Sequence, residues 1–440
     1  MRPIACLLAT FPTTTETFIV GEIQELRRRG VPIALFALAG AGGTVPQPEA
    51  MALARETTYA APLASGRLLA ANARWLARRP GRYLGALGLL FRRTWRNPVH
   101  LLKTLYLFPK AVELGDRMSG QGIEHVHAHW STYPTTVALV LSHVTGLRYS
   151  FTAHAGDVTL FRTLLGEKIR RARFVVTCTD DLRADLARLA PAGGGGKVHL
   201  NYHGVTLERF PRRARPEPAV PTILACGALY KRKGFAEIVE ACAILRDRGR
   251  DFRCVIVGDG PNRRHLERLI ARTRLGERVT LVGAAPQSEV ARRYAEADVF
   301  ALPCSERPVS VWDPEADLMK SLEAWFEPAG GVIKDGIPNV LVEAMATGLP
   351  VVSTPISGIP ELIRDGVNGL LVPPQDPVRL AGALERLLLD PSLRRKLGDQ
   401  AAEDVRERFD RRKNVVELVE IFGRYLDGAA ARPQAAGVVG

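Results

Sequence analysis

The chain lacks an apolar run long enough to cross a bilayer: nothing in its 440 residues approaches the ~18–20 apolar residues a spanning helix needs. It also lacks a cysteine framework. Its six cysteines (Cys6, Cys178, Cys226, Cys242, Cys254 and Cys304) show no paired spacing, and most fall in apolar strand-like stretches. That pattern reads as buried thiols in a reducing cytoplasm and argues against a zinc site. No G-x-G-x-x-G follows the first strand candidate, which argues against a dinucleotide oxidoreductase; Gly258-Asp-Gly-Pro261 is too short and too common to replace it. No nucleic-acid-binding module is recognisable, so basic charge alone does not make nucleic acid a partner. The N-terminal apolar run stops at Pro12 and a Thr-rich turn, and reads as a buried first strand rather than a secretory signal.

What is present is a globular composition, 46% hydrophobic and 24% charged, in a chain long enough for two domains. The formal net charge of +14 is unevenly spread. Between Arg67 and Arg117 stand eleven basic residues against two acids, Glu113 and Asp116, with Trp75, Tyr83, Phe91, Trp95, Tyr106 and Phe108 among leucines. Such a stretch suits helices lying on an anionic membrane surface; the alternative is a helical subdomain whose arginines face water.

Short β-branched runs alternate with amphipathic ones, the pattern of α/β architecture with parallel sheets. In the first half the strand candidates are 3–9, 31–38, 125–129, 149–153, 174–178 and 197–201. In the second they are 222–226, 253–257, 279–282, 299–302, 351–354 and 369–372. A Pro/Arg-rich stretch at 210–221 interrupts the periodicity as a linker. The expected layout is an N-terminal Rossmann-like domain at 1–209, the basic helical segment 67–117 within it, and a second such domain at 222–404. A helix at 405–428, the end of a helical run from about 400 to 426, packs back on the first domain, and 429–440 is a disordered tail. Ligands of such sheets bind beyond the carboxyl ends of the strands, here in the cleft between the domains.

The densest signal is Asp335-Gly-Ile-Pro-Asn-Val-Leu-Val-Glu343, followed by Ala344-Met-Ala-Thr-Gly-Leu-Pro-Val351 and Gly358-Ile-Pro-Glu361. Pro338 keeps Ile337 out of the α region, Asn339 suits an N-cap, residues 340–347 read as a short helix, and Gly348 stops it. A helix start of this kind points free N–H groups and a positive dipole end at one spot, which suits a pyrophosphate. One carboxylate stands before that spot and the other one turn inside, both able to accept hydrogen bonds from sugar hydroxyls. Glu361 begins another helix, where the dipole alone favours an acid, and reads as structural.

This spacing resembles the acid–seven residues–Glu motif of retaining glycosyltransferase family 4, which has the GT-B fold. One departure is that the first acid, usually Glu, is Asp335 and one methylene shorter. Gly227-Ala-Leu-Tyr-Lys-Arg-Lys233-Gly234 is similar to the family's Gly-Arg-Leu-x-x-x-Lys-Gly loop, with Ala228 where an arginine is usual. Ile256-Val-Gly-Asp-Gly-Pro261, Val282-Gly283 and Ala297-Asp298 follow in the family's order. Glu16-Thr-Phe-Ile, His127-Ala-His-Trp130 and Phe151-Thr-Ala-His154-Ala-Gly-Asp157 resemble a subgroup associated with colanic-acid-type exopolysaccharide assembly.

The resemblance implies an α/β, GT-B fold with two Rossmann-like domains, parallel sheets and an interdomain cleft. It implies a retaining hexosyltransferase taking a UDP- or GDP-sugar to a glycan acceptor, plausibly polyprenyl-linked, with no metal or cofactor, peripheral at the cytoplasmic face of the membrane. Lys233, with Arg232 (or Lys231) in place of the missing arginine, stabilises the leaving diphosphate. Gly258, Gly283, Gly336, Ile337, Pro338, Asn339 and Val340 line the donor site. Glu343 takes the ribose hydroxyls, Asp335 the donor sugar, and His154 the donor sugar or the acceptor, its loop steadied by Asp157. Glu16 and Thr17, with Thr14 and Thr15, either face the phosphates or simply cap a helix. His125, His127 and His129 share one strand face and serve a structural role or the acceptor.

The long connection at 304–334, with six acids against two bases between Ser305 and Gly331, is either a lid over the cleft or a peripheral decoration. Two other functions stay open: a sugar-nucleotide epimerase or hydrolase on the same fold, and a non-catalytic scaffold of a polysaccharide assembly complex, which Asp335 and Ala228 keep in play.

Overall fold

Runs of apolar and β-branched residues between amphipathic stretches form two parallel sheets flanked by helices. The computed structural model describes residues 2–13, 16–41, 47–190, 194–212, 218–308, 332–333 and 335–426. The first sheet holds β1 (Ile4–Phe11), β2 (Ile33–Gly40), β3 (Thr58–Tyr59), β4 (His125–His129), β5 (Arg148–Ala153), β6 (Val175–Thr177) and β7 (Val198–Leu200) in the order β3-β2-β1-β4-β5-β6-β7. The second holds β8 (Thr222–Cys226), β9 (Arg253–Val257), β10 (Val279–Gly283), β11 (Val299–Ala301), β14 (Val351–Ser353) and β15 (Leu370–Leu371) in the order β10-β9-β8-β11-β14-β15. Between them in the chain, β12 (Arg307–Pro308) and β13 (Val332–Ile333) make a separate antiparallel pair. The sequence does not mark β3, because two residues are too short to carry a period.

Strand order reverses between β1 and β4 in one sheet and between β8 and β11 in the other. At such points neighbouring crossovers leave to opposite faces, and a crevice opens at the strands' carboxyl ends. The second sheet has one continuous core; the first has one on each face. On one of those faces the helix Arg411–Leu426 buries Val415, Leu418, Ile421 and Phe422 with Ile4, Ile19, Ile23 and Phe174. The chain therefore returns to its first domain after completing the second.

The expected helical run from 400 to 426 is two helices, Pro391–Arg408 and Arg411–Leu426. Phe409 is buried, Asp410 accepts the Arg412 N–H at 2.9 Å, and the Arg411 N–H donates to the Val205 carbonyl at 3.1 Å. The local turn at Asp410 and the bond to Val205 break the helix where its periodicity runs on. All six cysteines are buried and free.

The basic segment is three helices, Gly66–Arg78, Pro80–Thr94 and Pro98–Gly120, packed on one another. Its aromatics divide: Phe108 is buried, and Trp75 and Tyr83 turn inward, Trp75 Nε1 donating to Asp116 at 3.0 Å. These three therefore do not belong to the outward face the sequence suggested. Residues 213–217 of the linker, 309–331 and 334 of the connection, and the tail from 427 lie outside the described residues.

Candidate functional site

At the β8/β11 reversal, the loop after β8 carries Lys233 at the end of the turn Lys231–Lys233. Gly234 follows with φ +76°, and a Cβ there would overlap the Pro303 carbonyl, so only glycine lets the two loops touch. The Ser305 N–H donates to the Arg232 carbonyl at 2.7 Å, tying the loop after β8 to that after β11. Gly258, with φ +144°, backs the same loop: a side chain there would meet the Gly227 carbonyl. Its N–H donates to the Gly283 carbonyl at 2.8 Å, so Gly258 and Gly283 are paired with each other as support behind the loop.

Lys233 Nζ lies 3.0 Å from Asp335 Oδ2, and Arg232 Nε lies 3.5 Å from the same oxygen. Burial would raise the Asp335 carboxyl, but the two cations outweigh it and hold it below the usual range. Burial likewise opposes the Lys233 charge, and Asp335 overrides it and raises the ammonium. Asp335 is thus an ionised carboxylate fixed between two cations, which makes it a poor proton donor and a good hydrogen-bond acceptor. Arg232 also lies over the Tyr230 ring, 4.6 Å from its centroid.

The helix after the acidic loop is Asn339–Ala346, with Pro338 in the cap position (φ −64°, ψ 123°), so Asn339 is its first residue rather than its cap. Pro338 has no N–H to satisfy, and its carbonyl accepts the Leu341 N–H at 3.0 Å. Ile337 and Val340 pack against the domain core, which orients the helix start. Glu343, one turn in, faces the helix Gln287–Glu296: Tyr294 OH donates to Oε2 at 3.0 Å and Gln287 Nε2 to Oε1 at 3.3 Å. Burial outweighs these bonds and pushes the Glu343 carboxyl up to about 7. Tyr294 and Gln287 are site residues that no local pattern marks, since only the fold brings them to Glu343.

The first domain meets this loop directly. A Cβ on Gly336 would lie 3.5–3.7 Å from Thr179, Ala155 and Cys178, so the acidic loop abuts the carboxyl ends of β5 and β6. β13 lies against the helix Ala155–Leu160, which places the stem of the long connection at the same seam. His154 precedes that helix, and its N–H donates to Asp157 Oδ1 at 2.8 Å; Asp157 Oδ2 takes the Ser131 N–H. Burial raises the Asp157 carboxyl to about 7 despite these bonds. Asp157 thereby ties the loops after β4 and β5 together.

His154 Nδ1 lies 3.2 Å from His203 Nε2, its ring lies tilted 4.1 Å from Trp130, and its buried Nε2 has no hydrogen-bond partner among the described residues. Burial drives both histidines toward the neutral form, His203 to about 4. Among the described residues, His154, Cys178 and His203 are the group whose ligand atoms lie close enough to share an ion, within 4.8 Å. The two histidines are already joined in the 3.2 Å hydrogen bond, and burial pushes the Cys178 thiol up to about 12.

Glu16 stands at the β1/β4 reversal, where Trp130 Nε1 donates to its carboxylate at 2.8 Å; it occupies the cap position of the helix that Thr17 begins, its carbonyl accepting the Ile19 N–H at 3.1 Å, but its side chain makes no cap bond. The Glu16 carboxylate is thus spent on Trp130 rather than on the helix start. Trp130 itself adopts φ +76°, an uncommon backbone for a bulky residue. Thr14 and Thr15 lie outside the described residues. Of the β4 histidines, His125 stacks 5.8 Å from Phe174, His127 edges onto Phe422 at 5.2 Å, and the His129 ring lies 6.3 Å from that of His154. His125 and His127 share Ser150 Oγ at 2.7 and 2.8 Å, and His129 pairs with Glu22 at 3.3 Å. Burial would lower His129, but Glu22 overrides it to about 10.

Glu361 does more than begin its own four-residue helix. Its carboxylate crosses to the first domain and accepts the Asp180 and Asp181 N–H groups at 2.7 and 3.1 Å and the Tyr202 hydroxyl at 3.0 Å. Beside the Thr179 cap, it satisfies the first two N–H groups of the helix Asp180–Leu189 and so bridges the two domains.

Residues 208–404 match the family described as Glycosyl transferases group 1. The amylovoran biosynthesis glycosyltransferase AmsK of Erwinia amylovora is 38% identical over 192 residues, 43% of this chain and 42% of that protein. WcaL of Escherichia coli, named for colanic acid biosynthesis, is 38% identical over 189 residues, 43% of this chain and 41% of its own. The match spans about two fifths of the length of these relatives. Across the whole fold, Anabaena HepE, solved in complex with UDP, superposes with a TM-score of 0.66 at 16% identity, covering 96% of this chain and 100% of that one. At that identity the likeness concerns architecture, and the architecture is GT-B.

Proposed function

We propose that this chain, which carries a glycosyl transferases group 1 domain on a GT-B fold, moves a hexose from a UDP- or GDP-sugar to a hydroxyl of a glycan acceptor with retention at the anomeric carbon. The product serves exopolysaccharide or other cell-surface polysaccharide synthesis, and the acceptor is carried on a polyprenyl lipid at the cytoplasmic membrane face. The observation that carries this reading is the convergence of Lys233 and Arg232 on Asp335, beside the helix start at Asn339, in a loop that meets Ala155, the residue after His154, across the seam. AmsK and WcaL support the polysaccharide context by name, and the UDP held by HepE supports a uridine donor.

In this mechanism the donor's C1–O(phosphate) bond breaks while the acceptor oxygen bonds C1 on the same face. The acceptor proton passes to an oxygen of the departing diphosphate. Lys233, Arg232 and the N–H groups at Asn339 and Val340 stabilise the diphosphate charge. Asp335 and His154 Nε2 hold sugar hydroxyls, and Glu343 holds the ribose. Gly336, Ile337 and Pro338 shape the loop. No step calls on a metal, so transfer persists in EDTA.

A panel of UDP- and GDP-sugars, with and without a lipid-linked glycan, tests the proposal. Glycan-dependent release with an α-linked product from an α-linked donor is expected. Turnover without glycan would make the protein an epimerase or hydrolase. Binding without turnover would make it a scaffold.

A further inference from the structure

The three helices Gly66–Arg78, Pro80–Thr94 and Pro98–Gly120 turn apolar side chains outward. Leu69 and Leu76 are seven residues apart on the first, Leu84 and Phe91 seven apart on the second with Trp95 four further on, and Leu102, Leu105 and Tyr106 cluster on the third. Residues three, four or seven apart share one side of a helix. Eight of the sixteen large hydrophobics exposed among the described residues therefore lie on this platform, with Leu102 67% and Phe91 59% exposed. Burial elsewhere on the same helices (Leu68, Ala71, Ala86, Leu90, Phe108 and Ala111) accounts for how they pack and leaves the outer stripes uncovered.

The charge is sorted in the same direction. Glu113, fully buried, is matched by Arg67 at 3.0 Å and Arg117 at 3.5 Å, and Asp116 lies 3.7 Å from Arg74. The segment's two acids are thus turned inward, while Arg78, Arg79 and Arg92 stay exposed with no ion pair among the described residues. No helix of the described residues is long and apolar enough to cross a membrane.

We propose that this platform lies on an anionic lipid bilayer, its leucines, Phe91 and Trp95 entering the interface and its free arginines on lipid phosphates. Exposed apolar stripes beside unpaired arginines complement a bilayer surface, which offers acyl chains and phosphates in adjacent layers. The platform adjoins the first domain's side of the cleft: Lys103 lies over the Tyr133 ring at 5.3 Å, and Tyr133 begins the helix that follows Trp130 and Ser131. Membrane contact there brings a lipid-borne acceptor to the cleft mouth. Only this orientation, and not the binding itself, rests on the proposed glycosyl transfer.

The test is sedimentation of the full chain with vesicles of phosphatidylglycerol and phosphatidylcholine against phosphatidylcholine alone, at low and high salt. Binding that needs the anionic lipid and weakens with salt is expected. Replacing Arg78, Arg79 and Arg92 with Gln lowers binding on the order of a hundredfold; replacing Phe91, Trp95 and Leu102 with Ser lowers it as well. Both variants keep the parent's thermal midpoint and nucleotide affinity. Brominated lipid quenches a tryptophan signal that Trp95→Phe removes. No binding to anionic vesicles, binding indifferent to lipid charge, or full binding by either triple variant overturns the proposal. Vesicle binding without any glycosyl transfer would remove the proposed function and leave this surface standing.

Discussion

Lys233 and Asp335 hold each other in place, so a change at one is felt at the other. Lys233→Ala leaves a partly buried carboxylate with Arg232 as its remaining cation and takes a donor from the proposed diphosphate site. It should weaken nucleoside diphosphate binding by roughly 2–5 kcal/mol, as truncating one partner of a desolvated pair does. Calorimetry with UDP and GDP checks this, and unchanged affinity for both removes Lys233 from the site. Glu343 supplies a pH signature. Its folded carboxyl sits at about 7 against 4.5 for the free side chain. The folded state therefore binds the proton more tightly, so the stabilisation is complete below about 4.5 and is lost as pH rises through about 7. Glu343→Gln should flatten the fall in stability between pH 5 and 8 by about 3 kcal/mol at most. Asp157, raised in the same direction, keeps a residual slope. Urea midpoints across that range measure it; a slope equal to the parent's would mean Glu343 is ionised in the fold. The spacing of Asp335 and Glu343 was legible because one loop and one helical turn carry it. Their partners Lys233, Tyr294 and Gln287 are distant in sequence, and only packing selects them.

At the scale of elements, the parallel strands were legible because two-sided burial writes continuous apolar runs into the chain. Element ends were less so. The break at Phe409–Asp410 depends on backbone bonds to Val205 in another part of the fold, and the cap falls on Pro338 rather than Asn339. Glu361 shows the same limit: its sequence position marks its own short helix, but its carboxylate caps Asp180–Leu189 in the other domain. Glu361→Ala should cost ~1–2 kcal/mol, typical of a lost N-cap. It should also speed amide exchange at Asp180 and Asp181 by roughly 5–30-fold if that cost falls on local opening. Hydrogen exchange on a peptide spanning this helix start decides whether the bridge holds in solution.

At the scale of the molecule, the returning helix Arg411–Leu426 makes the first domain depend on residues encoded after the second. Phe422 is buried with Phe174 and edges onto His127. Phe422→Ala should destabilise the first domain by about 3–5 kcal/mol, the usual cost of emptying an aromatic core position. Nucleotide binding around Lys233 should survive it, because the second domain has its own core. A thermal scan with and without UDP or GDP separates the two effects. The sequence by itself determined the class of fold, the two-domain division and the loop–helix that suits a diphosphate, since each is written in local periodicity, glycine and proline placement, and short spacing. The tertiary structure alone decided which cations face Asp335, which side of the basic helices meets water, and that Glu361 and the last helix join the domains. Those outcomes depend on contacts between residues far apart in the chain, which no local pattern encodes.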